Sequence, residues 1–151
     1  MLDSTTPHAR MTRRTAPSPK RLASLLLPPL AVMALIFFLS AQQSDGDHSA
    51  IVIVLRKLAH VSEYAVLTLC WWRALRGLRI GRDARASLAL AVTIALAYSA
   101  SDEFHQTFVR GRHGTPVDVG VDVIGMTIAS LIVARAYARR RSLGPSRPSA
   151  A

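Results

Sequence analysis

Imidazole and carboxylate side chains recur at three- and four-residue spacing in three separate stretches of this chain. His60 stands with Glu63 and Tyr64, Asp102 with His105 and Gln106, and Asp118 with Asp122. Glu103 lies inside the second group, and Arg110, Arg112 and His113 follow it. Residues three or four apart share a face of a helix, so each stretch would present one polar stripe. Such stripes offer proton transfer, with Glu63 or Glu103 as general base and His60 as acid. They also offer binding: Lys57 and Arg112 would pair with anionic groups, while Glu63, Asp102, Glu103 and Asp118 would hold those cations or polar parts of a ligand. The residues singled out for binding are His60, Glu63, Tyr64, Asp102, Glu103, Gln106, Arg112, Asp118 and Asp122. Imidazoles and carboxylates at this spacing are suitable metal ligands, but no complete ligand signature is present, and the sequence assigns neither a metal nor a cofactor.

The elements that must carry these residues are unusually apolar. Of the 151 residues 50% are hydrophobic and 19% charged, which disfavours a soluble enzyme. A membrane-spanning helix needs about 20 mostly apolar residues at about 1.5 Å rise each. Four stretches approach that length. Residues 22–40 carry no charge, and Pro28-Pro29 should loosen the opening turns without abolishing the span. Residues 58–75 are interrupted by His60 and Glu63, residues 86–101 are rich in Ala and Leu, and residues 117–134 carry small residues at Gly120, Gly125 and Ala129, which suits close helix contact. The expected fold is all-α: an integral membrane bundle of four transmembrane helices over residues 22–138, with a basic tail (1–21) and a second tail (139–151) too polar or breaker-rich to pack. Ile51–Leu55 either opens the second helix early or lies in the interface, and the sequence leaves both open.

A formal charge of +10 would point to nucleic acid in a soluble protein. Here the cations fall in blocks before the first span (Arg10, Arg13, Arg14, Lys20, Arg21), between the second and third (Arg73, Arg76, Arg79, Arg82, Arg85) and after the fourth (Arg135, Arg139, Arg140, Arg141, Arg147). Nucleic-acid binding needs one basic folded face, and these blocks alternate with apolar spans, so no nucleic-acid partner is expected. Arg56, Lys57, Arg110 and Arg112 are assigned to the two loops that the blocks skip. The positive-inside rule then places both termini in the cytoplasm. With that direction the start of the second helix, the end of the third and the start of the fourth meet near the outer surface. There, too, lie seven of the nine acids, all but Asp3 and Asp83. A carboxylate at a helix centre costs about 2.5–3.5 kcal/mol on insertion scales, and less near the interface, so each needs a partner or a task. Asp45, Asp47, His48, Arg56 and His113 are set apart as residues that cap, snorkel or pair at helix ends. Cys70, the single cysteine, reads as a packing residue, and Trp71 and Trp72 as interfacial anchors. The first span is longer than a usual signal h-region and lacks a convincing cleavage site.

Four ordered blocks carry a resemblance. Phe38-Leu39-Ser40-Ala41-Gln42 ends the first helix and Lys57-Leu58-Ala59-His60-Val61-Ser62-Glu63-Tyr64-Ala65 begins the second. Tyr98-Ser99-Ala100-Ser101-Asp102-Glu103-Phe104-His105-Gln106 closes the third, and Arg110-Gly111-Arg112-His113-Gly114 leads to Asp118 and Gly125 of the fourth. From about Ser40 to Ala134 the chain resembles the VanZ-like membrane proteins of bacteria. Asp122 departs from the Asn expected there, and Thr115-Pro116 from a small polar pair. The resemblance implies a multi-pass protein of the bacterial cell envelope, in a family whose named member is associated with low-level teicoplanin resistance. It supplies no mechanism.

The leading functional expectation is an envelope protein whose outward polar cluster binds a lipid head group, a lipid-linked wall precursor or an amphiphilic glycopeptide. The alternative is an intramembrane hydrolase or transferase acting on a lipid-linked substrate, with or without a metal. A third is a scaffold in which the cluster only locks helices together. A transporter is least favoured, since four short helices leave little room for a gated path.

Overall fold

The computed structural model describes residues 17–43, 49–112 and 114–142. The expected tails beyond these limits, together with Asp45, Asp47, His48 and His113, lie outside the described residues. Four helices follow one another: α1 Pro19–Ser40, α2 Ala50–Gly77, α3 Ala84–Gln106 and α4 Pro116–Ser142. Each opens on a side chain that takes up a free backbone N–H. Ser18 accepts from Arg21 N–H at 3.4 Å, Ser49 from Val52 at 3.4 Å, Asp83 from Ala86 at 2.9 Å and Thr115 from Asp118 at 3.3 Å. The Ala86 bond also holds the Asp83 carboxyl below its ordinary pKa. Pro19 and Pro116 occupy the first turn, where a missing N–H costs nothing.

Pro28 and Pro29 sit inside an unbroken α1. A proline removes the bond to the carbonyl four residues earlier. The carbonyl released by Pro28 is that of Ser24, and Arg73 of α2 donates to it at 3.0 Å. The span is thus repaired by its neighbour.

The helices run alternately up and down. At one end the last turn of α1, the start of α2, the end of α3 and the start of α4 come together, joined by the Lys57–Asp118 ion pair at 3.2 Å and by Arg112 donating to Leu39 O at 2.8 Å. We call this the acidic end. At the other, arginine-rich end, Arg21 donates to the last α2 carbonyl, Gly77 O, at 3.2 Å, and Trp72 packs edge-on against Tyr137. α2 touches all three other helices. The core of Ile36, Tyr64, Leu67, Ala95 and Met126 draws on all four. α4 lies directly on α2: a Cβ on Gly125 would collide with the carbonyl oxygen of Val61, and Ala129 is fully buried. Gly120, expected in that contact, instead faces open space.

The outside of the bundle is apolar, with Leu27, Phe38, Ile51, Phe108 and Val117 more than 60% exposed. Among the described residues α1, α3 and α4 are long and apolar enough to cross a membrane. α2 is long enough but is diluted by Arg56, Lys57, Glu63 and Arg73. It begins at Ala50, so Ile51–Leu55 belong to the helix. Arg56 and Lys57 therefore lie on α2, not in the loop to which the spacing assigned them, because Ser49 caps the chain well before the charges arrive. α4 likewise continues through Arg139–Arg141, whose cations suit the negative end of a helix dipole.

A buried polar site at the acidic end

Ser99, Asp102, Glu103 and Gln106 follow one another at spacings of three, one and three on α3, and all four are buried. They form a single stripe facing inward. Opposite them α2 supplies His60, Glu63 and Tyr64, and α4 supplies Asp118 and Asp122.

Asp122, like Ser99 and Tyr64, has no exposed surface. The Ser99 hydroxyl donates to its Oδ2 at 2.6 Å, and its Oδ1 lies 3.0 Å from Nδ1 of His60. Three helices are joined through one carboxylate. The ring of Tyr64 stacks beside His60 with centroids 6.5 Å apart, while its buried hydroxyl has no partner among the described residues. Asp102 accepts from Gln106 at 3.0 Å through Oδ2, leaving Oδ1 buried without a partner among the described residues. Glu103, 5% exposed, accepts the backbone N–H of Thr115 at 3.0 Å through Oε2, and its Oε1 is likewise buried without a partner among the described residues. Gly114 is required beside it, because a Cβ there would strike the Glu103 carbonyl. An oxygen in these positions forfeits its hydration, a cost of about 1–3 kcal/mol and more for a charged group.

Asp118 is differently placed. It pairs with Lys57 and accepts the Thr115 hydroxyl at 2.7 Å, closing the first turn of α4 at a half-exposed edge. Arg112 spends its guanidinium on the end of α1, donating to Leu39 O at 2.8 Å and Gln42 O at 2.9 Å. Burial, and then the neighbouring Arg56, lower its pKa from the ordinary value. His105, which shares the Asp102 face by spacing, turns to Phe37 of α1 and stacks at 4.7 Å.

A cavity of about 290 Å³ opens among these groups, lined by Arg56, Ala59, His60, Glu63, Asp102 and Arg112 together with the end of α1. It combines two guanidinium groups with two carboxylates and an imidazole. A larger cleft of about 830 Å³ lies at the opposite end, lined by Arg76, Arg82, Asp83, Arg85, Tyr137 and Arg141. None of the residues singled out for chemistry borders it.

Eight of the nine binding candidates thus gather around the cavity or the buried carboxylates behind it, and the ninth, Asp118, flanks them. Ser99 and Thr115 join the site although the sequence reading did not choose them. For Ser99 the signal was present: it precedes Asp102, Glu103 and Gln106 by three, four and seven residues. Thr115 contributes mainly its backbone N–H, for which side-chain type carries no signal.

The family model described as VanZ/LLP1 matches residues 8–137, which takes in α1 to α3, all of α4 but its last five residues, and every group of the site. No curated protein matches the chain, and no solved structure does.

Proposed function

Because the chain belongs to the VanZ/LLP1 family, we propose that it is a four-span protein of the bacterial cell membrane whose acidic end faces outward and receives the polar head group of an envelope amphiphile. The amphiphile is a membrane lipid or a lipid-linked wall precursor. The observation that carries this reading is the small cavity between α1, α2 and α3, with Arg56 and Arg112 beside Glu63, His60 and the unpartnered oxygen of Asp102. Cations and acceptors side by side match a head group that has both an anionic and a hydroxyl- or amine-bearing part. Apolar residues of α1, Ile36 and Leu39, continue the cavity wall, as an acyl chain would require. The cation blocks support both termini in the cytoplasm, and α2 supports a fourth span because it packs against all three other helices, with His60 and Glu63 partly buried among them. Occupation of this site by a wall precursor, or by the drug itself, is the route by which the protein would alter susceptibility to a glycopeptide such as teicoplanin.

The test is a photo-crosslinking residue placed at Ala59, on the cavity wall, with a second at Ile128 on the exposed face of α4. Irradiated membranes should yield a specific lipid or precursor adduct from position 59, reduced when Glu63→Gln is added. Identical bulk-lipid adducts from both positions would overturn the reading.

A second reading is favoured by the Ser99–Asp122–His60 chain. If His60 donates Nδ1–H to Asp122, its Nε2 keeps a lone pair beside the cavity, as a general base requires. An intramembrane hydrolase or transferase would then turn over a lipid-linked substrate. Such an enzyme would release product from labelled membrane lipids, and His60→Gln would abolish the release without removing the position 59 adduct.

A further inference from the structure

We propose that His60, Glu103 and Asp122 form a binding site for one divalent transition-metal ion, Mn²⁺ or Zn²⁺ by the chemistry of the donors. This goes beyond head-group binding and does not depend on it. The three residues come from α2, α3 and α4, and one ligand atom from each lies within 4.8 Å of the other two. Metal–ligand bonds of about 2.0–2.2 Å put neighbouring ligand atoms roughly 3 Å apart. The His60 nitrogen and the Asp122 oxygen stand at 3.0 Å, so an ion could take the place of the proton between them.

The independent observation is Glu103. It is 5% exposed, and among the described residues its Oε1 has no partner although Oε2 is fixed by the backbone of Thr115. That bond fixes one oxygen of the carboxylate and leaves the other open to a ligand. Two carboxylates enclosed together in an apolar bundle repel each other, and the partners seen on them are an imidazole, a hydroxyl and a backbone N–H. A divalent ion would cancel both charges. The donor set of one imidazole and two carboxylates, with no thiolate, suits Mn²⁺, Fe²⁺ or Zn²⁺ better than a soft ion. Ser99, donating to the second oxygen of Asp122 at 2.6 Å, orients that ligand as outer groups do at established metal sites. The nearby acid Asp118 is already held by Lys57 and Thr115 and is not a ligand. Because His60 also lines the cavity, the remaining coordination positions would open toward it.

The full-length protein in lipid nanodiscs is stripped with chelator and titrated with Mn²⁺, and bound metal is read by elemental analysis and pulsed electron paramagnetic resonance. The expected result is one ion per chain, with nitrogen coupling from an imidazole. Asp122→Asn or Glu103→Gln should weaken binding at least tenfold, and His60→Gln should remove the nitrogen coupling. Ile128→Ala, on the exposed face of α4 and outside the ligand set, should bind as wild type does. Zn²⁺ should compete for the same site. Binding well below one ion per chain, or stoichiometric binding without nitrogen coupling, overturns the proposal using the wild-type protein alone. Retention of full affinity in Asp122→Asn and Glu103→Gln overturns it as well.

Discussion

Asp122 receives the Ser99 hydroxyl on one oxygen and faces His60 with the other, so its two oxygens are tied to different helices. Removing it strands two buried polar partners as well as the carboxylate's own contacts. Asp122→Ala should cost about 2–4 kcal/mol, given one to two buried hydrogen-bonding groups left unmade. Asp122→Asn keeps the shape and retains an acceptor for Ser99, and should cost about 1 kcal/mol or less. Thermal unfolding in detergent, with abundance in membranes followed in parallel, checks the order of the two variants. Equal losses would mean that the carboxylate shape contributes nothing. The His60–Asp122 bond joins residues 62 positions apart, and no spacing rule reaches across helices. Spacing showed only that Asp118 and Asp122 share a face. It could not show that Asp118 closes the helix start with Lys57 while Asp122 enters the interior. That division depends on how far down the helix each one sits relative to α2.

At the scale of the element, α2 and α4 meet by backbone contact. Gly125 lies against the Val61 carbonyl, and small residues permit such approach where lipid provides no hydrophobic drive between helices. Gly125→Ala forces the helices apart and should destabilise by about 1–3 kcal/mol, as overpacking does. Gly120→Ala has open space and should change stability by less than about 0.5 kcal/mol, the range of a surface substitution. Unfolding midpoints of the two variants side by side check the pair. Both glycines appeared equivalent in the sequence because each lies in the same apolar run. Only the rotational phase of α4 against α2 separates them. The existence and order of the four helices were legible from uninterrupted apolar runs such as Leu22–Ser40. The start of α2 was not, since Arg56 and Lys57 break the run at a point where the helix has already begun at Ala50. Both lie at the bundle end, Arg56 exposed at the cavity rim and Lys57 half-buried, so the charges are tolerated there. Lys57 finds Asp118.

The whole molecule is polarised along the bundle. The buried carboxylates and the 290 Å³ cavity occupy one end, and the arginine-lined cleft occupies the other. An apolar belt separates them, in which large side chains such as Leu27 and Leu131 remain exposed. Such a surface is costly in water and costs nothing in hydrocarbon. α2 alone among the four described helices lacks an apolar window long enough to cross a membrane, yet it packs against the other three, so contact within the bundle stands in for part of its contact with lipid. The account rests on which way this polarised body faces and on whether α2 crosses. Single cysteines at Gln43, Arg79, Arg110 and Ser142, in a Cys70→Ser background, can be challenged in intact cells with a membrane-impermeant maleimide. Positions 43 and 110 should label from outside, and positions 79 and 142 only after permeabilisation. Labelling of 43 and 79 from the same side would show that α2 does not span. The reverse pattern would place the cavity in the cytoplasm and contradict an outward head-group site.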